Sequence, residues 1–253
     1  MLQAERHDKI VDIVNERGSV RVTELSRICG VTEETIRRDL DRLEQEGRLR
    51  RSHGGAVSVR DPRQQEIPYT EREIMQAEQK RSIAARAAAS VRAGERILLD
   101  ASSTAWYVAQ ALPDIPLTVL THSIRVATAL APKENIEVIS VGGRLARRSL
   151  SFVGPLAERS LEAYHVDKLF FSCKGVHPEA GLSESNELQA KIKQIMIGAA
   201  DRVILLADAT KFGVRAFTHV SGLERVDEII TDRAIDEAAL SSLQALGINV
   251  IVV

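Results

Sequence analysis

The chain has 253 residues, 44% hydrophobic but only 4% aromatic, with 34 Lys and Arg against 35 Asp and Glu. That length accommodates two domains, and the aliphatic bias suits an α/β protein. A net charge of −1 excludes a generally basic nucleic-acid coat but leaves room for a local basic patch. No run of about 18 apolar residues is present to cross a bilayer, and Met1 to Lys9 mixes charges of both signs without the apolar core of a secretory signal. Cys29 and Cys173 stand in unrelated contexts. They read as reduced thiols of a cytoplasmic protein, with no metal site, disulfide framework or cofactor expected.

Along the chain, Leu2, Ile10, Ile13 and Val14 share one helical face, and Gly18 follows as a stop signal. Leu25, Ile28 and Cys29 mark a short second helix ending at Gly30, a residue that tolerates positive φ. Thr32 caps a third helix, with Glu33 and Glu34 at its positive end. In it Ile36, Leu40 and Leu43 fall within about 60° of one another at 100° per residue. Arg38 lies opposite them, Arg37 and Arg42 flank it, and Thr35 stands beside Arg42. Gly47 ends the helix and Leu49 anchors a hairpin whose basic tip carries Arg50, Arg51 and His53.

Residues 1–60 hold 12 Lys and Arg against 11 Asp and Glu, yet residues 47–60 hold four Arg and no acid. Helix, helix, turn, helix, hairpin is the winged form of the helix-turn-helix, expected over 1–57 with the helix-turn-helix at about 20–39. Its third helix fits the ~12 Å major groove of double-stranded DNA, where an arginine pairs bidentately with a guanine edge. Thr32, Thr35, Arg37, Arg38, Arg42, Arg50, Arg51 and His53 are the candidate DNA contacts. An ordinary three-helix bundle with solvated arginines explains any one of them alone, but not the basic wing beside the helix.

Residues 58–76, with Pro62, Pro68 and mixed charge, read as a linker. From residue 77 to 253 the pattern alternates between helical stretches and short apolar runs: Ile97–Leu99, Leu117–Leu120, Val138–Val141, Leu169–Phe171, Val203–Ala207, Glu228–Ile230 and Asn249–Val252. The expected fold class is therefore α/β, a mostly parallel sheet covered on both faces behind the winged unit. Polar loops follow the runs: Asp100, Ser102, Ser103 and Thr104; Thr121, His122 and Ser123; Gly142 and Gly143; Lys174 and Gly175; Asp208 and Lys211. In an open parallel sheet such loops gather at the carboxyl edge, where ligands bind. Hydroxyls before a helix favour a phosphate, the lysines supply countercharge, and the aspartates accept from sugar hydroxyls. Glu184, Glu187, Lys191 and Lys193 read as a solvated helical face, with a start that borders the pocket as the alternative, and Trp106 and Tyr107 as packing.

Arg6, Ile10, Val14, Thr32 and Thr35-Ile36-Arg37-Arg38-Asp39-Leu40, followed by Gly47, Leu49 and His53-Gly54-Gly55, match the signature of the DeoR family of bacterial regulators. The chain resembles that family over essentially its whole length. The resemblance implies a C-terminal effector domain similar in fold to ribose-phosphate isomerases and sensing a phosphorylated sugar or polyol. Asp100 to Thr104 matches the family's Asp-x-Gly-Ser/Thr-Thr loop, Thr121-His122-Ser123 its Thr-Asn-x loop and Asp208 to Gly213 its Asp-x-Ser/Thr-Lys-Phe segment. Ser102 stands where glycine is usual, His122 where asparagine is, and Ser172-Cys173-Lys174-Gly175 replaces Gly-Ala-Asp-Gly. The leading expectation is a homo-oligomeric repressor that binds operator DNA, has no catalytic role and is relieved by a phosphorylated sugar or polyol. The alternatives are an activator of the same architecture and a sugar-phosphate isomerase with a fused DNA-binding module. At Lys174 the chain lacks the acid that isomerase chemistry favours.

Overall fold

The computed structural model describes residues 2–17, 19–52, 54–58 and 66–253. The chain divides into two compact units, Met1–Gln65 and Glu66–Val253. Gly18 and His53, expected as a helix stop and a wing residue, lie outside the described residues.

In the first unit α1 (Gln3–Arg17) leads through β1 (Ser19–Arg21) to α2 (Val22–Cys29) and α3 (Glu33–Gln45), then to β2 (Arg50–Ser52) and β3 (Gly55–Val57). The short antiparallel sheet runs β1-β3-β2. This is a winged helix-turn-helix. Gly30 closes α2 at φ 66°, and the Thr32 hydroxyl accepts the Thr35 N–H at 3.2 Å, so both helix ends form where the sequence sets them. Ile10, Val14, Leu25, Ile36, Leu40, Leu43 and Leu49 are fully or almost fully buried. Leu2, expected on that face, is 72% exposed because it lies ahead of the first helical turn. At Gly55 the wing crosses β1 so closely that a Cβ would stand 2.2 Å from the Val20 carbonyl oxygen.

One polar group sits inside this core. Asp39, on the apolar side of α3, receives Arg6 Nε at 2.6 Å and Arg6 Nη2 at 3.1 Å, and lies 2.9 Å from His7 Nε2. Burial opposes its charge, but hydrogen bonds from Arg6 and His7 outweigh it and hold the carboxyl below its ordinary value.

In the second unit α4 (Tyr69–Ile74) and α5 (Ala77–Ala88) precede β4 (Arg96–Leu99), α6 (Ser103–Ala111), β5 (Leu117–Thr121), α7 (Ile124–Leu130) and β6 (Ile136–Ser140). A hairpin, β7 (Arg144–Ala146) and β8 (Ser151–Val153), leads through α8 (Pro155–Glu162) to β9 (Val166–Phe171). Next come β10 (Gly175–His177), β11 (Gly181–Glu184), α9 (Glu187–Gly198), β12 (Ala200–Leu206), β13 (Thr218–Ser221), β14 (Glu228–Thr231), α10 (Glu237–Ala245) and β15 (Asn249–Val252). Seven strands form one parallel sheet in the order β15-β14-β12-β9-β4-β5-β6. Each of the seven apolar runs falls on one of them. Alternation along the strands fills two cores: Ile97, Leu99, Phe170 and Ile204 pack with α5, α6 and α7, whereas Leu98, Leu169, Phe171 and Leu205 pack with α8 and α9.

The strand order reverses between β4 and β9, which makes their carboxyl ends the topological switch point. The linker expected to reach residue 76 does not: residues 66–76 belong to the second unit. Tyr69 is buried there, its N–H donating to the Arg148 carbonyl at 2.7 Å, and its ring lies against the Arg72 and Arg125 guanidiniums. A single aromatic anchor in a charged stretch leaves no apolar period to read.

Asp39→Ala leaves Arg6 largely buried without a countercharge, so the DNA-binding unit is expected to lose about 3–5 kcal/mol, read as a lowered unfolding midpoint of that unit in the full chain. Because the folded-state pKa of Asp39 lies below its unfolded value, this stabilisation is complete above about pH 4 and is lost as the pH falls through the folded value. The variant therefore loses the corresponding part of the acid sensitivity.

Candidate functional site

On the first unit the exposed side of α3 carries the arginines. The Arg38 side chain is 79% exposed, with Nε 3.4 Å from Glu34. Arg37 reaches Glu33 at 2.8 Å and Arg42 reaches Glu46 at 3.3 Å. Exposed pairs at this spacing are worth about 0.3–0.5 kcal/mol each, so these guanidiniums are free to exchange partners. The Thr32 and Thr35 hydroxyls lie 2.9 Å apart at the start of the helix. Arg50 stands exposed at the root of the wing.

Arg51 is placed differently from expectation. Its guanidinium bonds the Asp41 carboxylate at 2.6 Å and the Arg37 carbonyl at 3.1 Å, while its N–H donates to Glu44 at 2.7 Å. It straps the wing onto α3.

On the second unit the switch point is built around Asp100, the residue that follows β4. Its carboxylate accepts the Ser102 N–H at 3.0 Å, the Ser172 N–H at 3.2 Å and the Lys193 ammonium at 2.6 Å. Lys193 also donates to the Ser172 carbonyl at 2.6 Å and pairs with Glu184 at 3.2 Å. Burial disfavours both charges, but their mutual attraction outweighs it, holding the Asp100 carboxyl low and the Lys193 ammonium high. The expectation of a solvated Lys193 is thus corrected. It lies on the inner face of α9 among Ala190, Ile192 and Met196, and a lysine on that apolar stripe was the signal to read.

Beside this pair opens a cavity of about 210 Å³. Among the residues singled out in the sequence, Ser102, Ser103, Thr104, Lys174, Asp208 and Lys211 line it. Ser102 caps α6 by accepting the Ala105 N–H at 3.0 Å, and the first N–H groups of a helix have no carbonyl one turn back to use. Thr210, from the segment singled out after the fifth run, and Glu184, at the start of the charged stretch, join them, together with Arg72, Lys80, Glu66 and Gln189, which were unanticipated as site residues. Arg72 comes from the stretch read as linker, and Lys80 from α5, where no site residue was read.

Besides Lys193, which is paired with Asp100 and Glu184, four cations, Arg72, Lys80, Lys174 and Lys211, therefore share one small space. Burial pushes the Lys80 ammonium down to about 8; Asp208 opposes the shift, whereas Lys211 and Arg72 add to it. Lys174 is lowered in the same way, by burial first and then by Lys211. Lys80 donates to the Arg72 and Met75 carbonyls, each at 2.6 Å, pinning the end of α4 to α5. Lys80 is buried and Arg72, Lys174 and Lys211 are half-buried, and cations that repel one another in such a place favour the arrival of an anion.

The remaining expected residues do not line the cavity. Asp100 works behind it, through Lys193. The Thr121 hydroxyl donates to the Leu99 carbonyl at 2.8 Å and the Ser123 hydroxyl caps α7, both fully buried. His122 is fully buried, burial lowers its pKa to about 4, and neither ring nitrogen has a hydrogen-bond partner among the described residues. Gly142 and Gly143 lie in the connection from β6 to β7. Gly175 opens β10, where a Cβ would stand 2.3 Å from the Val214 carbonyl oxygen; close packing requires the glycine. Among the described residues no cluster of three His, Cys, Asp or Glu side chains could hold a metal ion.

A winged helix-turn-helix joined to a parallel-sheet unit with a cation-lined cavity defines a ligand-responsive regulator of transcription. The chain belongs to the DeoR family: residues 6–61 match the DeoR-like helix-turn-helix domain and residues 75–233 the DeoR C terminal sensor domain. It is 55% identical to the uncharacterized HTH-type transcriptional regulator YulB of Bacillus subtilis, over 99% of this chain and 96% of that protein. It is 38% identical to the L-fucose operon activator of Haemophilus influenzae over 92% and 93% of the two chains. With the HTH-type transcriptional repressor GlcR of Bacillus subtilis it shares 32% identity over 100% and 97%. Among solved structures, ribose 5-phosphate isomerase A from Neisseria gonorrhoeae aligns over 56% of each chain, with a TM-score of 0.41 and 20% identity.

Lys193→Met leaves Asp100 charged and unpaired in the core and is expected to cost about 3–5 kcal/mol in chemical denaturation. Adding Asp100→Asn to it should restore much of that loss, because no buried charge is then left alone. Equal losses in the single and double variants would show that the unpaired Asp100 charge is not the source of the cost.

Proposed function

We propose that this regulator is a repressor of a carbohydrate-catabolism operon, released from its operator by a phosphorylated sugar or polyol. The single observation behind the effector class is the convergence of Arg72, Lys80, Lys174 and Lys211 with the hydroxyls of Ser102, Ser103, Thr104 and Thr210 in one cavity. That set suits a phosphate dianion, while the carboxylates of Glu66, Glu184 and Asp208 accept from sugar hydroxyls. Arg38, on the exposed face of α3, reads base edges, and Thr35, Arg37 and Arg42 contact bases or the nearby backbone. One winged unit reads few base pairs, so a homo-oligomer places two of them on half-sites about 34–36 Å apart or at multiples of that spacing. Release requires that the effector bind the non-operator conformation more tightly; equal affinity for both would shift nothing.

The test is operator binding followed by fluorescence anisotropy against a panel of sugar phosphates and their unphosphorylated parents. A phosphorylated compound should release the DNA and its parent should not. Lys211→Ala should keep operator affinity and lose the response, whereas Arg38→Ala should lose affinity and base preference, with each lost base contact worth about 1–3 kcal/mol. An unphosphorylated sugar acting equally well, or a normal response from Lys211→Ala, would sink the phosphate reading. Transcription from the regulated promoter that falls on deletion of the gene would mark an activator, as the fucose-operon relative is named.

A pH dependence follows from Lys80. Its ammonium titrates at about 8 in the free protein, and a bound anion raises that value. Effector binding between about pH 8 and 9 should therefore take up a proton, and affinity should fall as the pH rises through that window. Calorimetry in buffers of different ionisation enthalpy reads the uptake directly, and a phosphate monoester, with its second pKa near 6, is already fully ionised there. Lys80→Met removes the uptake.

A further inference from the structure

Arg72 carries an unused pair of donors. Its Nε and Nη2 are buried, and neither has a hydrogen-bond partner among the described residues. These two nitrogens form the edge of the guanidinium that grips two oxygens at once. The carboxylates sharing its cavity have other hydrogen-bond partners: Glu66 accepts from Asn186 at 3.0 Å, Glu184 pairs with Lys193 at 3.2 Å, and Asp208 accepts the Thr210 N–H at 3.1 Å. Tyr69 packs against the guanidinium, its ring centroid 5.5 Å from Cζ, and the Arg72 carbonyl is tied to Lys80. The fork is thus oriented before anything binds. Glu66 attracts the guanidinium through space, but no acceptor occupies the fork, and two idle buried donors are costly; packing and backbone hydrogen bonds hold the helix that carries them.

We propose that Arg72 clamps the effector's phosphate bidentately, and that α4 is thereby the element through which the bound effector acts on the chain leading to the DNA-binding unit. The inference rests on reading the cavity as a phosphate site. It adds that the anion is held by the short helix just past the boundary at Gln65, and not by the sheet loops alone. Lys80, Lys174 and Lys211 supply field; Arg72 supplies direction. Binding at this fork joins α4 to the sheet loops through the anion.

The probe is inorganic phosphate titrated into the full-length protein, with affinity measured by calorimetry and amide exchange followed in Tyr69–Ile74. Wild type should bind, with slower exchange in that segment. Arg72→Gln should bind at least tenfold more weakly without the exchange effect, and Arg72→Lys, a charge without the fork, should lie between them. Without phosphate, Arg72→Gln should unfold close to the wild-type temperature, because the donors it removes bond nothing in the free protein. A lowered temperature with a proportionate loss of affinity would make Arg72 a structural residue and overturn the proposal. Wild-type affinity in Arg72→Gln, with binding lost in Lys211→Ala, would overturn the clamp and leave the phosphate site standing. If phosphate binds and slows exchange around Ser102 but not in Tyr69–Ile74, the role of α4 falls. No binding by wild type at millimolar phosphate would overturn the site itself.

Discussion

The ion pair between Asp100 and Lys193 holds the sensor unit's working end together. It sits where the strand order of the parallel sheet reverses, and it connects the end of β4, the turn after β9 and the inner face of α9. Each charge would be costly alone at that depth. Paired, and with the remaining lone pairs of Asp100 taken by the Ser102 and Ser172 N–H groups, they set the two loops whose hydroxyls and cations line the cavity. The cavity wall is therefore a consequence of a buried electrostatic contact that the ligand need not touch.

The first unit uses the same device. Asp39 stands on the apolar stripe of α3 and fixes that helix to α1 through Arg6 and His7. With Asp39 turned inward, the outward face is left to Arg37, Arg38 and Arg42, whose partners are exposed carboxylates one turn away. Arg51 completes the arrangement by strapping the wing to the same helix. In each unit a buried, fully paired charge orients an element, and loosely paired or unpaired charges do the presenting.

The cavity cations come from four separate places in the chain: α4, α5, the turn after β9 and the turn after β12. Lys174 and Lys211 follow apolar runs and are legible as strand-end residues. Arg72 and Lys80 are not, because nothing local distinguishes them from solvated charges; only the packing of Tyr69 and the seating of Lys80 on the Arg72 and Met75 carbonyls bring them inward. Burial first, and mutual repulsion after it, lower the pKa of Lys80 and Lys174, and both exist only in the folded chain.

Sequence alone determined the elements with a strong local rule. Gly30 set the end of α2 and Thr32 the start of α3, because caps act on adjacent backbone N–H and C=O groups. Seven apolar runs fixed seven strands, because burial on both faces of a parallel sheet demands them. The motif residues fixed the family. Tertiary structure decided which polar residues turn inward and where they meet. His122, Thr121 and Ser123 pack behind the cavity although they sit at a strand end, and Lys193 is buried although its helix is rich in charge. A side chain's direction across a sheet edge or around a helix depends on contacts with residues tens of positions away, and no local pattern encodes those contacts.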